Sequence, residues 1–349
     1  MKINDFIHVY KRTICRVRTY MNDNKKYILL TELDENQGPS VTNSIEYLIQ
    51  SLINQGHAEL TDTFIEHYPK IQFFSEEFDE VKLDEFNFPT WHGRSKEKVM
   101  LLINENPDDF DTDTKKDQKS KIDILKNKYE DLKFMDNKFI EDPSITARRE
   151  KIRKNMITKE YLRNLINSKP KESEIGSILK KDLSIFAEVY ASPEDEYICF
   201  SEFPFFSKRI DFVVFTGRSS MKIYLIEIKG ADKKILVNNS YQPFTSKFFE
   251  GVTQLHNEFD YIHNNKEMVR KEMHRIRQAA INDEIPCFKG PKYDFQVDSN
   301  KSVKFYGVLI CGYTNDDLAE SNKRHSLEDR YNDNYIIETW DSFINKLTR

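Results

Sequence analysis

Residues 209–230, RIDFVVFTGRSSMKIYLIEIKG, constrain the fold more than any other stretch of the chain. Two runs of apolar, β-branched and aromatic residues are separated by the short turn sequence TGRSS, which predicts a β-hairpin. Asp211 begins the first run, whereas Glu227 and Lys229 end the second. Because the start of one hairpin strand lies beside the end of the other, these three charged side chains are predicted to meet at one end of a sheet.

Glu227 and Lys229 stand in a run that is otherwise typical of a sheet interior. Since side chains alternate along a strand, both point to one face while Ile226 and Ile228 point to the other. Charged groups in such a place are costly unless they have a partner, an ion or a cleft. Two acids at the end of a sheet suit a hard divalent cation such as Mg²⁺, which prefers oxygen ligands. The alternative is a salt bridge between Glu227 and Lys229 on an edge strand.

The residues around the hairpin predict a mixed β-sheet flanked by helices. SEIGSILKKDLSIFAEVY precedes it and predicts one helix with a single apolar face, and YICFSEFPFF predicts a third strand. Two helices follow the hairpin, and the first has an apolar stripe at helical spacing: Phe248, Val252, Leu255, Phe259 and Ile262. Two further strands, VKFYGVLICGY and YIIETW, come before a terminal helix. This order of elements is typical of an α/β domain.

The arrangement D-x(n)-E-x-K after an acid-bearing helix resembles the PD-(D/E)xK nuclease superfamily, with Ile210 at the position of the proline. More specifically, residues 170–349 resemble the nuclease domain of Shedu anti-phage defence proteins. Five segments carry the resemblance in order: SEIGSILKKDLSIFAEVY, SEFPFFSKRIDFVVF, YLIEIKGADKKIL, FFEGVTQLHNEFDYI and YIIETWDSFINKL. It implies a restriction-endonuclease-like sheet, hydrolysis of phage DNA with Mg²⁺ or Mn²⁺ as cofactor, and self-association as a dimer or tetramer.

The resemblance also implies roles for particular residues. Asp211 and Glu227 match the metal-binding acids of the family, and the carbonyl of Ile228 is a further metal ligand. Lys229 matches the lysine that orients or activates the attacking water and offsets charge in the transition state.

Two further catalytic candidates on helices have alternative interpretations. Glu174 matches the acid on the family's first helix, but Glu172 is its rival at the same helix start. An acid there is also favoured simply by the helix dipole. Gln254 matches a glutamine near the metal or the scissile phosphate, and it shares a helix face with Glu258 and Tyr261. A solvent-exposed helix face would have the same pattern.

The first 104 residues are not covered by the resemblance and predict a separate α/β module. TICRVRTY and KKYILLTEL predict strands joined by a turn, a helix follows between Asn43 and Gly56, and DTFIEHYPKIQFF, FDEVKLDEF and FPTWHGRSKEKVMLLI complete the module. The charge blocks of residues 105–120 predict a linker, residues 121–169 a helical connector, and residues 170–349 the nuclease domain. We expect the N-terminal module to sense a trigger or to restrain the nuclease.

Charge, composition and the absence of certain motifs limit the classes of protein to which this chain can belong. The net charge of −5 disfavours extensive non-specific coating of DNA but allows a local basic groove. The N-terminus has no apolar signal core, and no run approaches about 18 apolar residues, so we expect no membrane partner. The four cysteines form no C-x-x-C pair, and we expect a cytoplasmic protein. Without a G-x(4)-G-K-[ST] motif, no nucleotide cofactor is expected. The alternative function is a DNA-end or DNA-structure binding protein on a degenerate nuclease fold.

Overall fold

A computed structural model describes residues 1–11, 13–33, 40–68, 77–84, 88–107, 110, 141–206, 208–237, 244–313, 317–330 and 334–349. These residues form two compact units. The first consists of Met1–Glu141 with Gln296–Lys301, and the second of Asp142–Phe295 with Ser302–Arg349. Most of the predicted linker and the predicted connector up to residue 140 lie outside the described residues. The remainder of the connector forms helices of the second unit, and the predicted domain boundaries stay predictions.

The first unit is a six-stranded sheet with a helix on each face. Its elements are β1 Lys2–Tyr10, β2 Thr13–Asn22, β3 Lys25–Glu32, α1 Ile45–Asn54, β4 Thr63–Tyr68, β5 Glu77–Leu83, β6 Pro89–Arg94 and α2 Lys96–Ile103. The strand order follows the chain, and all neighbours are antiparallel except β3 and β4. That parallel pair needs a crossover, which α1 provides.

The predicted strands β2, β3, β4 and β5 and the predicted helix α1 are confirmed, although residues 69–74 of the predicted strand DTFIEHYPKIQFF lie outside the described residues. No strand or helix was predicted for β1, β6 and α2. Helix α1 packs on the sheet face that carries Ile28 and Leu30, and α2 packs on the opposite face, which carries Leu29 and Ile65. Both faces of β3 are therefore buried, which explains its nearly continuous apolar run.

The segment Gln296–Lys301 completes the first unit. Lys301 Nζ lies 2.5 Å from Oδ2 of Asp79 on β5, a residue with no solvent exposure. Asp298 Oδ2 accepts a hydrogen bond from the N–H of Gly93 on β6 at 3.1 Å. The segment thus supplies the positive charge that accompanies a buried acid of this sheet.

The second unit is a mixed six-stranded sheet with helices on both faces. Its elements are α3 Pro143–Lys154, α4 Lys159–Asn167, α5 Glu172–Leu179, α6 Ser184–Tyr190, β7 Tyr197–Phe205, β8 Lys208–Thr216, β9 Lys222–Ile228, α7 Ser246–Asn264, α8 Lys266–Ile281, β10 Phe288–Lys289, β11 Lys304–Ile310, α9 Asp317–Arg330, β12 Tyr335–Glu338 and α10 Trp340–Lys346. The strand order is β10-β7-β8-β9-β11-β12. The first four strands pair antiparallel, whereas β9, β11 and β12 are parallel. The predicted α/β class is confirmed.

The predicted hairpin is formed by β8 and β9, which pair antiparallel up to Phe212 opposite Ile226. Gly217 makes the turn with a φ of +101°, and a Cβ there would lie 2.6 Å from the carbonyl oxygen of Ser220. The glycine of TGRSS is therefore required by the turn itself.

The single helix predicted for SEIGSILKKDLSIFAEVY is wrong, because the chain forms two helices there, α5 and α6. The break contains Asp182, whose carboxylate accepts hydrogen bonds from the N–H of Ser184 at 3.1 Å and the N–H of Ile157 at 2.8 Å. An aspartate that bonds to nearby backbone groups competes with a continuous helix and favours a new helix start.

Helix α7 packs directly on the sheet through two glycines. A Cβ on Gly251 would lie 2.5 Å from Leu309 Cδ1, and a Cβ on Gly307 of β11 would lie 2.9 Å from Phe259 Cε2. The helix approaches this closely only because both side chains are missing. Leu309 is the register partner of Glu227 on β9, so α7 covers the sheet face that carries Glu227.

The opposite face of this sheet is closed by α4, α5, α6 and α10. Ile226 and Ile228 of β9 are buried there with Phe186, Trp340 and Phe343. Strand β9 therefore alternates as its sequence predicts, with isoleucines on one face and charged residues on the other. Within the described ranges, no helix combines the length and the apolar character needed to cross a membrane.

Candidate active site

Asp211 and Glu227 lie side by side at the open end of the β8–β9 hairpin. The strand register ends at Phe212 opposite Ile226, and the two acids are the next residues along their strands. Asp211 Oδ2 accepts a hydrogen bond from the N–H of Ile228 at 2.9 Å. This bond fixes the end of β9 and orients the carboxylate of Asp211 toward it.

Burial raises the proton affinity of both carboxyls. It raises the pKa of Glu227, which is only 5% exposed, to about 8, and the neighbouring Asp211 is the second cause. Burial also raises the pKa of Asp211, against the opposing influence of the Ile228 N–H and the Lys229 ammonium. A buried acid and a half-buried acid that resist ionising together form a place where a cation is electrostatically favoured.

Lys229 lies between two carboxylates. Its Nζ is 3.6 Å from Glu172 Oε2 and 3.8 Å from Glu227 Oε2, and the residue is only 3% exposed. Both distances exceed hydrogen-bond length, so the ammonium is attracted to both acids without being locked to either. Its backbone is held firmly, since its N–H donates to the carbonyl of Ile310 and its carbonyl accepts from the Trp340 indole, each at 2.8 Å.

The interpretation of Glu227 and Lys229 as a salt bridge on an edge strand does not fit this geometry. Strand β9 is an inner strand between β8 and β11, and both residues are buried. A buried pair at 3.8 Å recovers little of its desolvation cost, so stability alone does not explain its position.

The structure brings Glu172, and not Glu174, to this lysine. Glu174 Oε2 accepts a hydrogen bond at 3.0 Å from the backbone N–H that precedes α5, so this carboxylate caps the helix. Gly230 allows the start of α5 to come close, because a Cβ there would lie 3.2 Å from the backbone nitrogen of Glu172. The glycine after E-x-K thus leaves room for the close approach of the helix to the strand end.

Helix α7 adds Gln254 and Glu258 to the same end of the sheet. They follow Gly251 by one and two turns, so all three residues share the face that packs on the sheet. Glu258 is buried, and its charge contributes to the raised pKa of Glu227. The amide oxygen of Gln254 is buried and has no hydrogen-bond partner among the described residues. An unpaired buried acceptor is unusual, and this one is available to a water or a ligand of the site.

Exposed lysines surround these acids. Lys208, the first residue of β8, places its Nζ 3.5 Å from Glu258 Oε1. Lys180 is close enough to Asp211 to oppose the rise in its pKa, and Lys247 lies at the start of α7 within electrostatic range of a site acid. Each of these lysines is also paired with a carboxylate, so the three ammonium groups are held around the site by ion pairs.

These groups fit a divalent cation that takes few protein ligands. In the part of the chain that the structure describes, no three His, Cys, Asp or Glu side chains are grouped so as to hold a metal by themselves. Mg²⁺ is usually bound through one or two carboxylates, with waters and substrate phosphates as the other ligands. Asp211 and Glu227 provide such a pair, and the backbone of Ile228 lies next to it.

Comparison with protein-family models matches residues 169–344 to the family described as Shedu protein SduA, C-terminal. The match covers half of the chain and includes every residue of the site. The chain belongs to the Shedu protein family. It is therefore a Shedu defence protein. No curated protein and no solved structure matches the chain.

Two features of the Shedu site had no sequence prediction. One is the ion pair of Lys208 with Glu258, and the other is the bond from Trp340 to the backbone of Lys229. Only the ion pair of Lys208 with Glu258 could have been found from sequence patterns. Lys208 precedes Asp211 on one strand, and Glu258 shares a helix face with Gln254, so both residues stand close in sequence to residues of the predicted site. The contact of Trp340 depends on how α10 packs, which no local pattern predicts.

Proposed function

We propose that this Shedu protein is a metal-dependent DNA endonuclease that hydrolyses phosphodiester bonds of invading phage DNA. The observation that carries the proposal is the meeting of Asp211, Glu227 and Lys229 at the open end of an inner hairpin. Phosphodiester hydrolysis of this kind needs a binding site for a cation and a positive group that stabilises the negative charge of the transition state. The likeness of this group to the PD-(D/E)xK pattern supports the same reaction.

In this mechanism, Asp211 and Glu227 hold Mg²⁺, or Mn²⁺ in its place, with the carbonyl of Ile228 as a further ligand. When bound, the cation supplies Lewis-acid polarisation of the phosphate. Lys229 orients the attacking water and offsets negative charge on the phosphorane-like transition state.

The helical residues support this group. Glu172 attracts the Lys229 ammonium from the exposed side of the site. Glu174 caps the helix that presents Glu172. The buried amide oxygen of Gln254 accepts a hydrogen bond from a water of the site.

Incubation of supercoiled and linear DNA with Mg²⁺, Mn²⁺ or EDTA tests the reaction. We expect cleavage with either metal, none with EDTA, and a rate at least about 100-fold lower in Lys229→Ala and Asp211→Ala. Lys271→Ala changes an exposed lysine of α8 and is the matched control, which should keep the parental rate. If both site variants cleave like the parent, the site assignment is wrong. DNA binding without cleavage under every metal condition would favour the DNA-end or DNA-structure binding protein.

We also propose that the protein acts in the cytoplasm as a dimer or tetramer, since symmetric pairing suits an enzyme that acts on two strands. The N-terminal part of the first unit, Met1–Glu141, lies outside the family match, and we propose that this unit restrains the nuclease until DNA triggers it. Light scattering should give the mass of a dimer or tetramer, and a monomer would contradict the assembly. Leu48→Ala weakens the core of the first unit and should raise untriggered cleavage, so an unchanged rate would contradict the restraint.

A further inference from the structure

An aromatic pair is exposed beside the proposed site. Phe206, at the tip of the β7–β8 hairpin, is 40% exposed, and its ring centroid lies 4.4 Å from that of Tyr261 on α7 with an interplanar angle of 39°. Phe206 also adopts a φ of +51°. Because Phe205 pairs with Lys208, Phe206 stands in a two-residue hairpin turn, which requires a positive φ and which turns its ring toward solvent.

The pair is continuous with the residues around the metal-binding acids. Tyr261 follows Glu258 by three residues on α7, so the two side chains share a helix face. Phe206 comes just before β8, and Asp211 lies three residues after the first residue of that strand. At the rise of an extended strand, the five positions from Phe206 to Asp211 span at most about 17 Å, so the ring pair lies within a few nucleotides of the acids.

A positive charge accompanies the rings. Lys208 follows Phe206 by two residues, is exposed, and is paired at 3.5 Å with the buried carboxylate of Glu258. Glu258 therefore holds the ammonium of Lys208 near the aromatic pair. An exposed ring and an ammonium side by side match the two parts of a nucleotide, since a base offers a π face and its phosphate offers a negative charge.

We infer that Phe206, Tyr261 and Lys208 form a nucleotide subsite next to the site of cleavage. An unstacked base of the DNA packs on Phe206, Tyr261 supports that ring from behind, and Lys208 pairs with the adjacent phosphate. The inference rests on the proposed function, because it gives the substrate of the same site a local requirement: one base beside the reacting bond must leave its stack.

Binding of oligonucleotides that carry 2-aminopurine at single positions tests the subsite, with Ca²⁺ replacing Mg²⁺ so that the DNA stays intact. We expect the fluorescence of 2-aminopurine to be quenched at one position near the cleavage point in the parent. Phe206→Ala should abolish this quenching and raise Kd about tenfold or more. Phe206→Tyr should restore both, whereas Phe206→Leu, which keeps the apolar bulk but loses the π face, should not. Tyr161→Ala, at an exposed aromatic of α4, is the matched control and should bind like the parent.

Lys208→Ala should weaken binding and reduce the salt dependence of log Kd by about one ion, because one phosphate contact is lost. Lys271→Ala should leave that slope unchanged. Parental affinity and quenching in Phe206→Ala would overturn the subsite while leaving the nuclease proposal intact. A change in oligomer mass in Phe206→Ala with parental DNA binding would instead show that the rings join two copies of the chain, which also overturns it. A parent protein that neither binds nor cleaves DNA would overturn both proposals.

Discussion

Each unit of the protein buries a glutamate of raised pKa, and the two environments differ. In the first unit, Glu66 of β4 accepts hydrogen bonds from the Thr42 hydroxyl at 3.0 Å, the Trp91 indole at 3.1 Å and the Tyr68 hydroxyl. Burial raises the pKa of Glu66 to about 7, and these donors oppose the rise. In the second unit, Glu227 lies beside another acid, and its ammonium neighbour is 3.8 Å away.

The comparison separates an acid that serves the fold from one that is available to a ligand. Three donors bond to Glu66 and offset part of the cost of burying its charge within the protein. Glu227 has no equivalent set of donors among the described residues, and its nearest acid opposes its ionisation. A cation would supply the missing interaction, which is why we place the metal at Glu227 and not at Glu66.

The largest expected difference between the two acids is in cleavage. Glu227→Gln should lower the cleavage rate about 100-fold or more, because a charge that binds the metal is lost while the shape is kept. Glu66→Gln should keep the parental rate, since its donors can still bond to the amide. Rates with Mg²⁺ at saturating DNA measure both. Equal losses in the two variants would contradict the distinction.

The free energy of unfolding should be affected more by substitution of Glu66 than by substitution of Glu227, the opposite order to cleavage. Glu66→Ala removes a carboxylate that accepts three hydrogen bonds and should cost about 3 kcal/mol or more in the free energy of unfolding. Glu227→Ala, measured in EDTA, should cost less than about 1 kcal/mol or stabilise the protein, because it removes a poorly satisfied buried acid. Urea unfolding of both variants tests this pair of expectations. A loss as large for Glu227→Ala as for Glu66→Ala would refute them.

The pH dependence of stability offers a third test. The folded pKa of Glu227 is about 8 and its ordinary value is 4.5, so the folded protein binds more protons than the unfolded chain between these values. In EDTA, stability should therefore be complete below the ordinary pKa and should fall as pH rises toward 8. The fall is at most about 1.4 kcal/mol per pH unit for one group.

Glu66 also lowers the stability of the protein as pH rises, but only up to its folded pKa of about 7. Between pH 7 and 8, Glu227 therefore contributes more to the decrease in stability than Glu66, and Glu227→Gln should reduce it. Mg²⁺ should stabilise the parent at pH 8 and not the variant. A slope in this range that survives in Glu227→Gln would show that another group causes it.

The smallest effects concern the two acids at the start of α5. Glu172→Ala should lower cleavage about tenfold, because the Lys229 ammonium loses one of the carboxylates that position it. Glu174→Ala should leave cleavage near the parental rate and cost about 1 kcal/mol of stability through the lost helix cap. Single-turnover rates and urea unfolding measure these changes. The reverse assignment, a strong loss of cleavage in Glu174→Ala alone, would restore Glu174 as the helical acid of the site.

The hairpin and its charged residues could be predicted from sequence because the information is local. Apolar runs, a turn glycine and the alternation of side chains are sufficient to bring Asp211 beside Glu227. The choice between Glu172 and Glu174 could not be predicted, because both stand at one helix start. A capping bond holds Glu174 and the close approach at Gly230 brings Glu172 toward Lys229, and both contacts depend on the packed structure.

Other differences have similar causes. The two-residue strand β10 is too short to show an alternating pattern. The break between α5 and α6 was missed because the apolar spacing continues across it, whereas the bonds of Asp182 that favour the break reach as far as Ile157. Long-range hydrogen bonds of this kind leave little trace in residue periodicity.

The excursion of Gln296–Lys301 into the first unit affects how the chain can be divided. Cutting it between residues 111 and 140 would leave the N-terminal piece without Lys301, and the buried Asp79 would lose its ion pair with that residue. The C-terminal piece would carry the six residues of this excursion with no sheet to receive them. Two separately produced halves would therefore each lack a contact that belongs to the intact chain. Poor expression of either half would not by itself argue against independent roles for the two units. A circularly permuted chain, or a short bridge replacing Gln296–Lys301 together with a neutral residue at Asp79, would divide the protein along its physical boundary.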